Sequence, residues 1–141
     1  KFNLLIGERS AELVKRELGS ASLEGAKELG SADIRGRDLV TGLPQTISID
    51  AVEIHEAIKE VVANIIAIVK ETLEETPPEI SADVIDRGIV LTGGGALLNG
   101  LTEAISDAVD VPVFVANDPL NCVALGTGIA LSQMDVLRKR N

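Results

Sequence analysis

The sequence predicts an α/β fold joined to a smaller α+β part, and three patterns predict it. Two short apolar runs, Ile89-Val90-Leu91 and Pro112-Val113-Phe114-Val115, flank a helical pattern over Leu101 to Val109, which is the order of a βαβ unit with parallel strands. A hairpin-like stretch between Ala32 and Asp50 runs directly into the longest helical pattern. The chain is 45% hydrophobic but has only two Phe and neither Tyr nor Trp, so Ile, Leu, Val and Ala must fill the interior, as suits helices packed on a buried sheet.

Along the chain, Ser10 followed by Ala11, Leu13, Val14 and Leu18 reads as a capped amphipathic helix closed by Gly19. Ser20 to Ser31 is rich in small and polar residues and reads as a surface loop. Ile34, Ile47 and Ile49 alternate with polar residues around the turn-prone Thr41-Gly42-Leu43-Pro44, which gives the hairpin. Asp50 is a good N-cap with Glu53 three positions on, and Val52, Ile54, Ile58, Val61, Val62, Ile65, Ile66, Val69 and Leu73 keep helical spacing behind that capping box. Pro77-Pro78 stops this helix, and Pro78 can open a short one that ends near Gly88. Beyond the βαβ unit, Val123 to Leu137 reads as a closing helix. The boundary between the two parts is expected within the long helix near Glu60, dividing residues 1–60 from 61–141. The opening Lys1-Phe2-Asn3 has neither Met nor a capping signal, as expected of a piece of a larger fold.

Composition excludes several classes of function. A net charge of −9 leaves no basic footprint for a phosphate backbone, so nucleic acid is not an expected partner. The single cysteine, Cys122, allows neither an internal disulfide nor a cysteine-based metal cluster, and the reducing cytoplasm is the expected compartment. The apolar-rich stretch Val61 to Val69 falls far short of the roughly 20 residues that cross a bilayer. His55 has no second histidine or cysteine to share a metal and reads as solvated on a charged helix face, so no metal site and no catalytic triad are expected. Cys122 reads as a small buried hydrophobe, Asp86-Arg87 as a structural ion pair, and Glu71, Glu74, Glu75 and Glu79 as a solvated face.

The sharpest chemical feature is Gly93-Gly94-Gly95, with Ala96 and Leu97, directly after a buried strand. Glycines there let the backbone approach a ligand with no Cβ in the way and present N–H groups to an anion. The same residues also suit a tight strand-to-helix turn, and shape alone does not separate the two readings. Walker A is excluded, because Leu101 stands where the phosphate-binding lysine belongs, and a dinucleotide fingerprint is excluded by Leu98 at the third glycine's place. Glu12 and Lys15 share one face of the first helix, where a carboxylate can accept from ribose hydroxyls and an ammonium can donate to a base or phosphate; an ordinary surface ion pair is the simpler reading of that spacing. Gly126-Thr127-Gly128 favours close packing of the last helix.

Longer segments carry a resemblance. Leu5-Ile6-Gly7-Glu8-Arg9, Ile34-Arg35-Gly36-Arg37-Asp38-Leu39-Val40-Thr41-Gly42-Leu43-Pro44, Thr76-Pro77-Pro78-Glu79, Asp86-Arg87-Gly88-Ile89-Val90-Leu91-Thr92-Gly93-Gly94-Gly95-Ala96-Leu97-Leu98 and Asn121-Cys122-Val123-Ala124-Leu125-Gly126-Thr127-Gly128 together resemble the MreB/Mbl family of bacterial actin homologues, in family order over nearly the whole chain. The resemblance implies an actin-like ATPase (ribonuclease H-like) fold of which only the second lobe is present. That lobe would comprise a small α+β subdomain and the C-terminal part of the larger α/β subdomain.

By position, Glu12, Leu13, Val14 and Lys15 match the family's helix beside the adenosine, and Gly93, Gly94, Gly95, Ala96 and Leu97 its glycine turn against the nucleotide. The resemblance further implies ATP with Mg²⁺ as cofactor and head-to-tail self-association into filaments. It also implies cell-wall elongation proteins as partners at the membrane, in rod-shaped cells. The family's phosphate-binding hairpins, catalytic acidic residue and membrane-binding element lie upstream of the matched segments, so no catalytic residue is expected here and this stretch alone is not expected to hydrolyse ATP. A sugar kinase or chaperone ATPase of the same fold superfamily, and an interaction module that no longer binds ATP, are the competing readings; the absence of an aromatic platform weighs against the kinase.

Overall fold

A computed structural model describes residues 1–134. Strand β1 (Leu4–Leu5) leads into helix α1 (Glu8–Leu18). The N-cap of α1 is Gly7, with extended backbone and no capping side chain, so Ser10 lies inside the first turn rather than at the cap. Gly19 ends the helix with φ −73, not in the left-handed region. Its glycine is required by crowding instead: a Cβ there would run into the Lys15 carbonyl oxygen and stand 3.1 Å from Leu98 Cδ1.

The segment expected as a surface loop is ordered and partly buried. Ser20 is 0% exposed, and Ser22 caps a short helix, α2 (Leu23–Leu29), by accepting from the Gly25 N–H at 3.0 Å. Ala26 and Leu29, three apart on its inner face, pack into the core beside Leu18, Ile49 and Ala51. Strands β2 (Ser31–Asp38) and β3 (Pro44–Asp50) form the expected hairpin, with Ile34 opposite Ile47 and Ala32 opposite Ile49. β1 pairs antiparallel on the other edge of β2, which completes a three-stranded sheet.

Asp50 caps helix α3 (Ala51–Glu74) through the predicted capping box: its carboxylate accepts from the Val52 N–H at 2.8 Å, and its own N–H donates to Glu53 at 3.2 Å. The helix serves two cores. Val52 and Ile54 pack on the first, around Leu18 and Ile49, whereas Ile58, Val62, Ile66 and Val69 pack on the second, around Leu101 and Ile105. His55 is half-buried at this changeover rather than solvated.

Pro78 opens helix α4 (Pro78–Arg87), which ends at Gly88 with φ 78. Strands β4 (Ile89–Leu91) and β5 (Val113–Val115) are parallel, with Ile89 opposite Val113, and helix α5 (Leu101–Val109) connects them. The ion pair expected between Asp86 and Arg87 is not formed; those among the described residues join Lys1 to Glu53, Lys15 to Glu12 and Lys59 to Glu56.

Helix α6 spans Cys122–Ser132. Its expected extension over residues 135–137 lies outside the described residues. Cys122 is half-buried, with its thiol facing the Asn117 and Asp118 carbonyls at 3.6 and 3.4 Å, and is not the core residue expected. Nothing lies within 4 Å of where a Cβ would sit on Gly126 or Gly128, so the close packing expected there is not made among the described residues. Val123 and Leu131 are 71% and 69% exposed.

Candidate functional site

The expected site residues come from segments some eighty positions apart, and the chain folds so that most of them face one another. An open cleft of about 660 Å³ runs between α1 and the turn after β4, a volume suited to a small ligand. Its floor is apolar, built from Ile65 and Val69 of α3 together with Leu91, Leu101 and Ile105.

Residues 12, 15 and 16 are one helical turn apart, which puts Glu12, Lys15 and Arg16 on the same face of α1 and on the cleft wall. Lys15 Nζ donates to Glu12 Oε2 at 2.6 Å. Both side chains are about half exposed, so the pair adds at most about 1 kcal/mol to stability and its donors and acceptors are open to exchange. The intervening residues point elsewhere: Leu13 faces solvent and is not part of the cleft lining, and Val14 packs on the first core.

On the opposite wall the three glycines differ. Gly93 turns the chain out of β4 with φ 81 and ψ 174, and its N–H donates to the Pro119 carbonyl at 2.8 Å. It stands behind the lining rather than in it. Gly94, Gly95, Ala96 and Leu97 form a single 3-10 turn that lines the cleft. α5 begins only after Gly100, so the glycines open a short turn and not the long helix.

A Cβ on Gly95 would meet nothing within 4 Å, and one on Gly94 only Leu120 Cδ2 at 3.4 Å. Neither has positive φ. The fold therefore has room for side chains at both positions and no conformational need of glycine, although glycine costs roughly 0.5–1 kcal/mol relative to alanine in such backbone. Two glycines that the chain itself does not require, bordering a cleft, fit a ligand that occupies the Cβ space.

Sequence reasoning missed Gly19, Asn99 and Leu120, which also line the cleft. Arg16 carried a signal, lying four residues after Glu12. Leu120 carried none, since it reaches the turn only because Pro119 is tied to Gly93. No helix of the described residues is long and apolar enough to cross a membrane.

The family profile described as MreB/Mbl protein matches residues 1–139. The chain is 50% identical over 140 residues to the cell shape-determining protein Mbl of Bacillus subtilis (strain 168), covering 99% of this chain and 41% of that protein. It is 43% identical over 135 residues to the cell shape-determining protein MreB of Escherichia coli (strain K12), covering 96% of this chain and 38% of that protein. Among solved structures, MreB5 of Spiroplasma citri bound to ADP superposes with a TM-score of 0.87 at 34% identity, over 100% of this chain and 42% of that one. The chain thus spans about two fifths of the length of the relatives it matches, and its fold is part of an actin-like one. With the family profile matched over residues 1–139 and half of the residues identical to those of a cell shape-determining Mbl protein, the chain belongs to the MreB/Mbl family.

Proposed function

We propose that these residues form one half of the nucleotide cleft of an ATP-binding, filament-forming cytoskeletal protein that maintains rod cell shape by organising cell-wall synthesis. The observation that carries the reading is the pair Gly94 and Gly95, which face the Glu12–Lys15 helix across a cleft of nucleotide size and are glycines for no reason internal to the chain. A relative of the same fold is bound to ADP.

In this reading Glu12 accepts from the ribose hydroxyls and Lys15 donates to the base or a phosphate, while Gly94 to Leu97 pass close against the nucleotide. Mg²⁺ accompanying the phosphates would supply charge neutralisation there, and none of the residues named here would need to hold it. Phosphoryl transfer needs donors and metal-linked groups on both sides of the transferred group, so the segment binds one face of ATP and does not by itself hydrolyse it. Residues 1–60 act as the small subdomain and residues 61–141 as part of the larger one, divided near Glu60 in α3, a helix that packs on the first core up to Ile54 and on the second from Ile58 onward. Subunits join head to tail, and contacts with the membrane and with wall-elongation proteins at it involve parts of the protein beyond this segment.

The test uses the full-length protein. With ATP and Mg²⁺ it should assemble, raising light scattering, and bind ADP in calorimetry. Gly95→Val should keep the fold by circular dichroism, since its side chain enters open space, yet abolish both binding and assembly. A Val variant that binds ADP as the unaltered protein does, or scattering that stays flat across nucleotide and salt conditions, would defeat the proposal.

A further inference from the structure

The two walls of the cleft meet at one seam, and a residue outside the cleft lining reaches it. Ser20 and Asn99 form an isolated parallel bridge between the end of α1 and the end of the glycine turn. The Ala21 N–H donates to the Asn99 carbonyl at 2.7 Å. The flanking Gly19 and Leu98 both line the cleft, as does Asn99 itself. Around this bridge the fully buried Ser20 hydroxyl donates to the Ser22 carbonyl at 2.9 Å.

The Ser20 carbonyl and the Ala21 N–H are opposite ends of one planar trans peptide. Asn99 holds the N–H end. The carbonyl end is held by His55, whose Nδ1 lies 2.9 Å away. A carbonyl oxygen only accepts, so Nδ1 carries the proton and donates. The imidazole and Asn99 thus grip the same peptide plane from its two sides. If the carbonyl end is released, the plane can rotate, and rotation turns the Ala21 N–H away from Asn99. His55 stands on α3 between Ile54 of the first core and Ile58 of the second, so the grip is anchored to the one helix that, among the described residues, is common to both.

We propose that His55 is a positioning residue for the cleft: without touching the ligand, it fixes the peptide plane that ties the Glu12–Lys15 wall to the glycine turn, and so sets the width at which a nucleotide is held. The inference rests on the nucleotide reading above. It predicts a distinction between two amide replacements. In His55→Asn the side-chain amide takes the place of Nδ1 and can donate to the Ser20 carbonyl; in His55→Gln it takes the place of Nε2 and cannot.

The experiment measures ADP affinity of the full-length protein by calorimetry, together with hydrogen exchange of the Ala21 amide in the nucleotide-free state. His55→Asn should keep the affinity within about twofold and leave the exchange slow, whereas His55→Gln should weaken binding about tenfold, the usual effect of losing one such hydrogen bond, and speed the exchange. Equal affinities in the Asn and Gln variants would overturn the assignment, as would equal exchange rates. If the unaltered protein binds no ADP, the nucleotide reading falls, while the exchange contrast still decides whether His55 holds the plane.

Discussion

Single residues in the glycine turn separate conformation from room. Gly93 sits at φ 81 and ψ 174, a region closed to residues with a Cβ at a cost of about 1–3 kcal/mol. Gly94 has no positive φ, and a Cβ there would make only an ordinary contact with Leu120 Cδ2 at 3.4 Å. Gly93→Ala should therefore destabilise the protein by that amount in urea unfolding, whereas Gly94→Ala should leave stability unchanged or raise it by a few tenths of a kcal/mol. Equal losses at the two sites would show that the turn is uniformly strained and remove the argument that Gly94 is glycine for a ligand's sake. Three consecutive identical letters could not reveal this difference, because only the backbone path divides them. The Glu12–Lys15 face was legible, since helical spacing alone puts both on one side, but that Leu13 and Val14 turn away from the cleft follows only once the helix is set against the sheet.

At the scale of elements, the hairpin turn carries a pH dependence. The Asp38 carboxylate accepts from the Thr41 N–H at 2.6 Å and the Val40 N–H at 2.8 Å. These bonds, the one from Thr41 foremost, hold its pKa below the ordinary 3.8. The unfolded chain binds that proton more tightly, so the contribution to stability is complete above the ordinary value and fades as pH falls through the lowered one. Asp38→Asn should be less stable than the unaltered protein near neutrality, and the gap in urea midpoint should narrow progressively as the pH is taken below the ordinary carboxylate range. A gap that stays constant would show that charge plays no part in the turn.

The hairpin itself, the capping box at Asp50 and the helix opened by Pro78 were legible because each signal is local. α2 was hidden, since Ser20 to Ser31 has the composition of a loop and only Ala26 and Leu29 turn inward. The seam was illegible for a different reason: Ser20 lies 35 positions from His55 and 79 from Asn99, and no local pattern brings such residues together.

For the molecule as a whole, area is the telling quantity. A compact monomer of this mass exposes about 7,000 Å², yet the chain exposes 10182 Å². The surplus has an identifiable apolar share: Val123, Leu125, Ile129 and Leu131 on α6, Val61 and Ile68 on α3, and Val90 and Phe114 on the small parallel sheet are all exposed. A helix apolar all round, as α6 is, belongs inside a larger body. Prepared alone, residues 1–141 should self-associate at micromolar concentration in size-exclusion chromatography with light scattering, and nucleotide-free full-length protein should do so far less. A segment that runs as a stable monomer with cooperative unfolding would contradict that expectation. The parallel strand order and the family segments made the architecture readable in advance, whereas the packing expected at Gly126-Thr127-Gly128 is not made among the described residues, because sequence marks a face as apolar without saying which polypeptide covers it.

α3 runs 24 residues, roughly 36 Å at the rise of an α-helix, and both hydrophobic centres are bolted to it. A beam shared in this way makes the assembly stiff. Any breathing of the groove between these residues must twist that beam or unfasten the short strut beside it, so the two hydrophobic centres are expected to move together as a single piece.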